Sequence, residues 1–281
     1  MDESLYAKKI SRFLRTNHNE IIVKEKDVID TIPLIGEIYD EPFSDNSFVP
    51  SFILSKFARL KVKSCLSGDG GDEIFLGYNR YSFAKRVFKF KNRSPKILRN
   101  LIINGIQFIP PRLYDRLSQP FQKILGVHGL SHKMNKLSNI LSYENNSDFY
   151  KKLNILDNEV LYEGYKNEKD IFDKYHDMEL IESVQRNDID FYLPNDILVK
   201  VDRASMFNSL EVRSPFLSHN VVNKAFELPI EFKLRNKITK YILKDLLSDF
   251  LPKSFVYRPK MGFAIPIERW ISHKKLRKTL D

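Results

Sequence analysis

Hydrophobic and polar positions alternate between two periods along the first 80 residues. "LYAKKISRFLR" places apolar side chains at Leu5, Ile10, Phe13 and Leu14, which predicts an amphipathic helix. "NEIIVKE", Asn19 to Glu25, is a short β-branched run and predicts a strand. Asp27 to Tyr39 predicts helix again, and "DEPFSDNSFVP", Asp40 to Pro50, reads as a loop by its Pro, Ser, Asp and Asn content. Ser51 to Leu60 returns to the helical period, and "VKSCLS", Val62 to Ser67, predicts a second strand. The order α-β-α-β predicts parallel pairing through crossovers rather than hairpins. Beyond Tyr78 the pattern predicts helices and connecting loops. The expected fold is α/β, with part of a parallel sheet in residues 1–80 and a mainly helical part in residues 81–281. Within the latter, "PNDILVKVDRASM" predicts a helix from near Pro194. Asp196 and Lys200 would form a surface pair on it, and Asp202 and Arg203 would be buried partners or face a substrate.

Composition bounds this picture without choosing a function. The chain has 281 residues, 42% of them hydrophobic and 29% charged, enough for a real core. Lys and Arg number 46 against 36 Asp and Glu, giving +10, a balance that favours anionic partners in general. The densest basic stretch, residues 85–99, carries seven Lys or Arg and no acid. It reads as a solvated helix face, because its apolar residues fall at core-like spacing; no nucleic-acid partner is expected. Cys65 is the single cysteine, so no intrachain disulfide can form, and its place inside a strand predicts a packed residue. The first residues lack an apolar signal segment, and Leu101 to Pro111 is too short to span a bilayer. The expectation is a cytoplasmic protein with no membrane partner. His128 and His132 read as loop histidines.

The chemistry concentrates in "SCLSGDGGDEIFLGYNRY", residues 64–81. A strand that ends in a glycine-rich turn and leads into a helix offers free backbone N–H groups to an anion. Gly68, Gly70 and Gly71 supply the freedom, yet Asp69, Asp72 and Glu73 would repel a bare phosphate. A divalent cation between them removes the conflict, since Mg²⁺ takes one or two carboxylates, waters and phosphate oxygens. The alternative is a surface turn with an acidic helix start, where negative charge is also favoured. The spacing is neither a dinucleotide-binding fingerprint nor a P-loop.

"LSGDGGDEIFLGYNRY" resembles the signature of the asparagine synthase family, in its C-terminal synthetase domain. "DEPFSDNSFVP" before it, "LPNDILVKVDRASMFNSLEVRSPFL" after it and "RPKMGFAIPIERW" last agree with the family in order and spacing. The resemblance implies a fold of the ATP-pyrophosphatase type. It implies ATP and Mg²⁺ as cofactors and aspartate or another carboxylate as substrate. Amidation by ammonia would follow through an acyl-adenylate; relatives acting on sugar acids are the alternative. Ser67 and Gly68 match the family's nucleotide contacts, with Gly70 and Gly71 in the same loop. Asp69 matches the acid linked to acyl-adenylate formation, and Asp72 the Mg²⁺–pyrophosphate carboxylate, with Glu73 beside it. Lys260 matches the lysine that stabilises charge on the α-phosphate, and Lys240 a lysine that meets pyrophosphate or lies on a basic helix face. Glu211 and Arg213 are expected to be structural. Ser214 and Ser218 stand where the family tends to have Val and Asp. The family's Ser-Gly-Gly-x-Asp-Ser pyrophosphate loop and its glutaminase domain have no counterpart in this sequence. The expectation is therefore an internal piece of a longer enzyme, of reduced stability and little ATP turnover alone. A complementing polypeptide could supply the glutaminase and the pyrophosphate loop.

Overall fold

The computed structural model describes residues 4–41, 43, 45, 47–110, 113, 130–154 and 171–258. Helix α1 spans Ser4–Leu14. Residues 16–24 follow without regular structure, which corrects the strand expected over Asn19 to Glu25. A β-branched run becomes a strand only when a neighbour takes its backbone hydrogen bonds. Ile22 instead stands 67% exposed. Helix α2, Glu25–Thr31, starts where the Asp27 carboxylate accepts the Lys24 N–H at 2.8 Å. A single 3₁₀ turn leads into α3, Ile35–Tyr39, which stops at Asp40 in the left-handed region. Helix α4 is Phe48–Arg59, and strand β1 is Ser64–Leu66, followed by the short α5, Gly71–Ile74.

Helices α6, Asn79–Arg93, and α7, Lys96–Phe108, are separated by Ser94 and Pro95, since the residue before proline is pushed out of the helical region. Helices α8, Leu130–Leu141, α9, Asn146–Asn154, and α10, Leu180–Asn187, come next. A π-helical segment, Asp188–Leu198, holds Pro194 inside it and passes directly into α11, Val199–Phe207. The helix expected to start near Pro194 therefore starts earlier. The π register shifts which carbonyl faces the missing proline N–H, so the helix continues. Strand β2, Glu211–Arg213, lies in the part expected to be mainly helical, where no strand was expected. Helices α12, His219–Glu227, and α13, Ile230–Lys233, lead to the strands β3, Leu234–Arg235, and β4, Ile238–Thr239. Asn236 and Lys237, both at positive φ, form their two-residue hairpin turn. Helices α14, Tyr241–Leu247, and α15, Lys253–Val256, complete the order.

The structure is mostly helical with a small parallel sheet, α/β in general. Strand β1 pairs with β2 in parallel, Cys65 opposite Val212. The chain divides into two units, one made of residues up to Phe75 and from Phe191 onward, the other of Leu76–Asp190. In the first unit, α11 packs on α4 and α3. Val28, Ile38, Phe48, Val49, Phe52 and Ala204 form its buried cluster. In the second, α6 packs on α10 and α7 on α8, around the buried Tyr81, Phe149, Tyr150, Ile181 and Val184. Asp188, fully buried there, receives the Tyr150 hydroxyl at 2.7 Å and pairs with Arg80 at 2.9 Å. Burial pushes its carboxyl up, and Arg80 opposes the push.

Two sequence expectations on α11 change. Lys200 does not sit on the surface: it is buried and donates to Asp45 at 2.7 Å. Asp202 and Arg203 are exposed, and Arg203 pairs with Asp40 at 3.1 Å. Helical spacing marks which residues are neighbours on one helix, but a long side chain goes to whichever partner the fold brings near. Here that partner is the loop before α4. Burial raises the Asp45 carboxyl, but the bonds from Lys200 and the Ser47 N–H outweigh it and hold it below the usual range. A depressed carboxylate contributes stability above its unfolded pKa of about 3.9, and that stability is lost as pH falls through the folded value. Asp45→Asn should therefore destabilise the chain by about 2–3 kcal/mol near pH 7, and by progressively less as the pH is lowered toward about pH 2. Urea unfolding across that range reads the difference, and an effect independent of pH would contradict it.

Candidate functional site

The site is built from two segments far apart in sequence. Strand β1 delivers the glycine-rich loop, and β2 fixes where it goes. The Ser67 N–H donates to the Arg213 carbonyl at 2.8 Å, so the sheet bonding runs one residue past β1. The Ser67 and Ser214 hydroxyls lie 3.0 Å apart. Gly70 then turns into the left-handed region at φ 81°, a conformation that only glycine adopts without strain. It also has no room for a side chain: a Cβ there would lie 2.3 Å from Cδ2 of Leu217. Gly71 is nearly as close, its Cβ position 3.1 Å from the Phe216 ring. That ring meets Phe75 edge-on at 5.9 Å. Thus "SPFL", just after β2, forms the wall against which the loop is pressed.

The opposite side of the loop is open. Gly68 is exposed, and nothing lies within 4 Å of its Cβ position. Asp69 is half-buried beside it. Asp72 and Glu73 begin α5 as expected but point to different surroundings. Glu73 is only 1% exposed. Asp72 stays about a quarter exposed and meets Lys240 Nζ at 3.1 Å. Lys240 sits between β4 and α14, itself in the left-handed region at φ 52°, and its Nζ lies 3.6 Å from the Gly71 Cβ position. One lysine ammonium therefore stands over the start of the loop helix, where the sequence placed only acids.

The structure thus brings together Ser67, Gly68, Asp69, Gly70, Gly71, Asp72 and Glu73, as one loop, with Lys240. Lys260 and His128 lie outside the described residues. Cys65 is partly buried in β1, and burial pushes its thiol up, the opposite of what a nucleophile needs. Arg213 pairs with Glu211 at 2.8 Å on the exposed side of β2.

Compared with known protein families, residues 1–281 match asparagine synthase. The chain belongs to the asparagine synthase family. It is 27% identical over 274 residues to asparagine synthetase (glutamine-hydrolyzing) 1 of Bacillus subtilis, covering 95% of this chain and 41% of that protein. It is 30% identical over 263 residues to a putative asparagine synthetase (glutamine-hydrolyzing) of Mycobacterium bovis, covering 90% of this chain and 37% of that protein. A 98-residue stretch is 41% identical to a putative asparagine synthetase (glutamine-hydrolyzing) 2 of Methanocaldococcus jannaschii, covering 35% of this chain and 19% of that protein. The chain spans about two-fifths of the length of the first two relatives.

For this member of the asparagine synthase family, sequence reasoning missed Ser214, Phe216 and Leu217 as parts of the loop's setting. The signal was present, since "EVRSPFL" stood out as a stretch. Nothing in its three strand residues announced a parallel pairing with residues 64–66. Gly70→Ala combines a forbidden φ with a clash against Leu217 and should cost about 2–3 kcal/mol. Gly68→Ala meets open space and should cost under about 1 kcal/mol. Urea denaturation of both variants measures the contrast; equal losses would mean that the loop is not pressed on the Phe216–Leu217 wall.

Proposed function

We propose that this chain forms the nucleotide-handling part of an ATP-dependent carboxylate amidation, aspartate to asparagine being the reaction favoured by its family. The observation that carries this reading is the Ser67–Glu73 loop with Lys240 across from Asp72. Exposed Gly68 and the turn at Gly70 leave backbone within reach of a polyphosphate, and the start of α5 adds to its attraction. In this reading a substrate carboxylate oxygen attacks the α-phosphorus of ATP, pyrophosphate leaves, and ammonia then displaces AMP from the acyl group. The fold type of the reading is that of the ATP pyrophosphatases.

The residues present fit Mg²⁺ accompanied by polyphosphate. Asp69 and Asp72 flank Gly70 and Gly71, and among the described residues no group of three or more His, Cys, Asp or Glu could hold a metal by itself. That donor set suits an ion that brings phosphate oxygens with it. Asp72 would hold the metal, which when bound supplies neutralisation of the phosphate charge. Lys240 already balances Asp72 and would turn its ammonium to the pyrophosphate oxygens. A fixed cation beside a leaving phosphate stabilises the charge that develops on it. Asp69, next to the open side of the loop, would orient the acyl-adenylate. Lys260 is proposed for the α-phosphate, on the strength of its place in "RPKMGF".

Calorimetric titration tests the reading. The chain should bind ATP with Mg²⁺ at micromolar affinity, weakened about tenfold or more, at least about 1.4 kcal/mol, by Asp72→Asn. With Mg²⁺ removed, the same substitution should leave ATP binding equal or slightly stronger, because a carboxylate facing phosphate has been lost. No ATP binding by folded chain, or a loss on Asp72→Asn that ignores Mg²⁺, would overturn it.

A further inference from the structure

Each strand of the parallel pair ends in a serine. Ser67 is the first residue after β1, and Ser214 is the first after β2. Parallel strands end on the same side of their sheet, so the two serines stand next to each other. Their hydroxyl oxygens are 3.0 Å apart, and both residues are half-buried. Backbone bonds hold them there. The Arg213 carbonyl accepts the Ser67 N–H at 2.8 Å, and the Ser214 carbonyl accepts the Leu217 N–H at 2.9 Å. The first bond belongs to the sheet, and the second sets the turn that forms the Phe216–Leu217 wall.

Two hydroxyls bring two protons, and the bond between them uses one. Among the described residues neither hydroxyl has another hydrogen-bond partner. One O–H of the pair is therefore left to donate outward. With its N–H taken by Arg213, Ser67 has only its hydroxyl to donate to a ligand. An isolated serine hydroxyl in half-open surroundings moves among its staggered rotamers. A fixed partner at 3.0 Å selects one of them.

We propose that Ser214 is a positioning residue for the nucleotide. Its O–H donates to Ser67 Oγ, and the Ser67 O–H is thereby aimed at a phosphate oxygen. This rests on the reading of the loop as a Mg²⁺–ATP site and adds a residue to it. Ser214 itself does not touch the nucleotide and acts through Ser67. Location supports the ligand class. In open α/β sheets, ligands lie outside the carboxyl ends of the strands, which is where both serines stand. The chemistry supports it too. The loop that starts at Ser67 carries Asp69 and Asp72, whose carboxylates repel an anionic oxygen, whereas a neutral O–H donates to one.

Calorimetric titration of the full chain with Mg²⁺–ATP tests it. Ser67→Ala should weaken binding about tenfold, and Ser214→Val about fivefold. The double variant should bind no more weakly than Ser67→Ala, because Ser214 then has nothing to act through. Ser214 lies in extended backbone, which suits a β-branched side chain, so Ser214→Val and Ser214→Thr should both fold. Ser214→Thr keeps the hydroxyl and should recover affinity to within about twofold of the wild type. A merely structural Ser214 would lower the melting temperature of Ser214→Val and leave the affinity of the folded chain alone. That outcome would overturn the inference. So would losses that add in the double variant, a larger loss from Ser214→Val than from Ser67→Ala, or no recovery in Ser214→Thr. Each of these leaves the loop's reading as a nucleotide site in place. Absence of ATP binding by the folded wild type would overturn that reading, and the inference with it.

Discussion

The parallel pairing of β1 with β2 is the constraint on which the candidate site depends. Three residues on each side are a small sheet, yet they join positions near 65 to positions near 212. The extra bond from Ser67 to Arg213 carries the pairing into the loop. Everything after it follows from that anchor. Gly70 turns left-handed and leaves no room for a side chain, since Leu217 fills the space where one would be, and α5 begins where the turn ends. A parallel pair cannot be closed by a tight turn, so the chain between the strands is free to form a large helical body. That body includes the whole second unit.

Two charge pairs of the first unit join segments distant in sequence. Asp45 with Lys200 ties the loop before α4 to α11, nearly out of solvent. Asp72 with Lys240 ties the loop helix to the segment before α14, but stays about a quarter exposed. The difference in burial separates their roles. Breaking the first leaves a charge in a poor solvent, a structural cost. Breaking the second leaves both groups near water, free to exchange partners for a metal and a phosphate. The pair at the loop is thus electrostatically neutral and partly open to solvent, and in the proposed function it would give way to a metal and a phosphate.

Much of the fold was legible where local pattern decides it. Helical periods marked α1 and the region of α4, and glycine spacing marked the turn after β1; punctuation marked a loop from Asp40, but it ends before Pro50, since α4 already begins at Phe48. The candidate loop was legible for the same reason: Gly68, Gly70, Gly71 and the acids between them are adjacent in sequence. Long-range relations were not. Ile21 and Ile22 look like strand residues, but among the described residues no neighbour takes their backbone hydrogen bonds. Glu211, Val212 and Arg213 form a strand because Cys65 and its neighbours lie alongside. Lys200 and Asp196 have the spacing of a surface pair, yet Lys200 reaches Asp45. Pro194 looked like a helix start and proved to lie inside a π-helical segment that absorbs its missing N–H.

The central claim is that one site is assembled from residues 64–73 and 211–217. Amide hydrogen exchange followed on peptides covering those two segments, with and without Mg²⁺ and ATP, tests it most directly. The account predicts that Ser67 and Glu211 amides are protected in the free chain, and that both segments gain protection together when nucleotide is added. Protection gained by residues 64–73 alone, or rapid exchange at Ser67 in the folded chain, would contradict it.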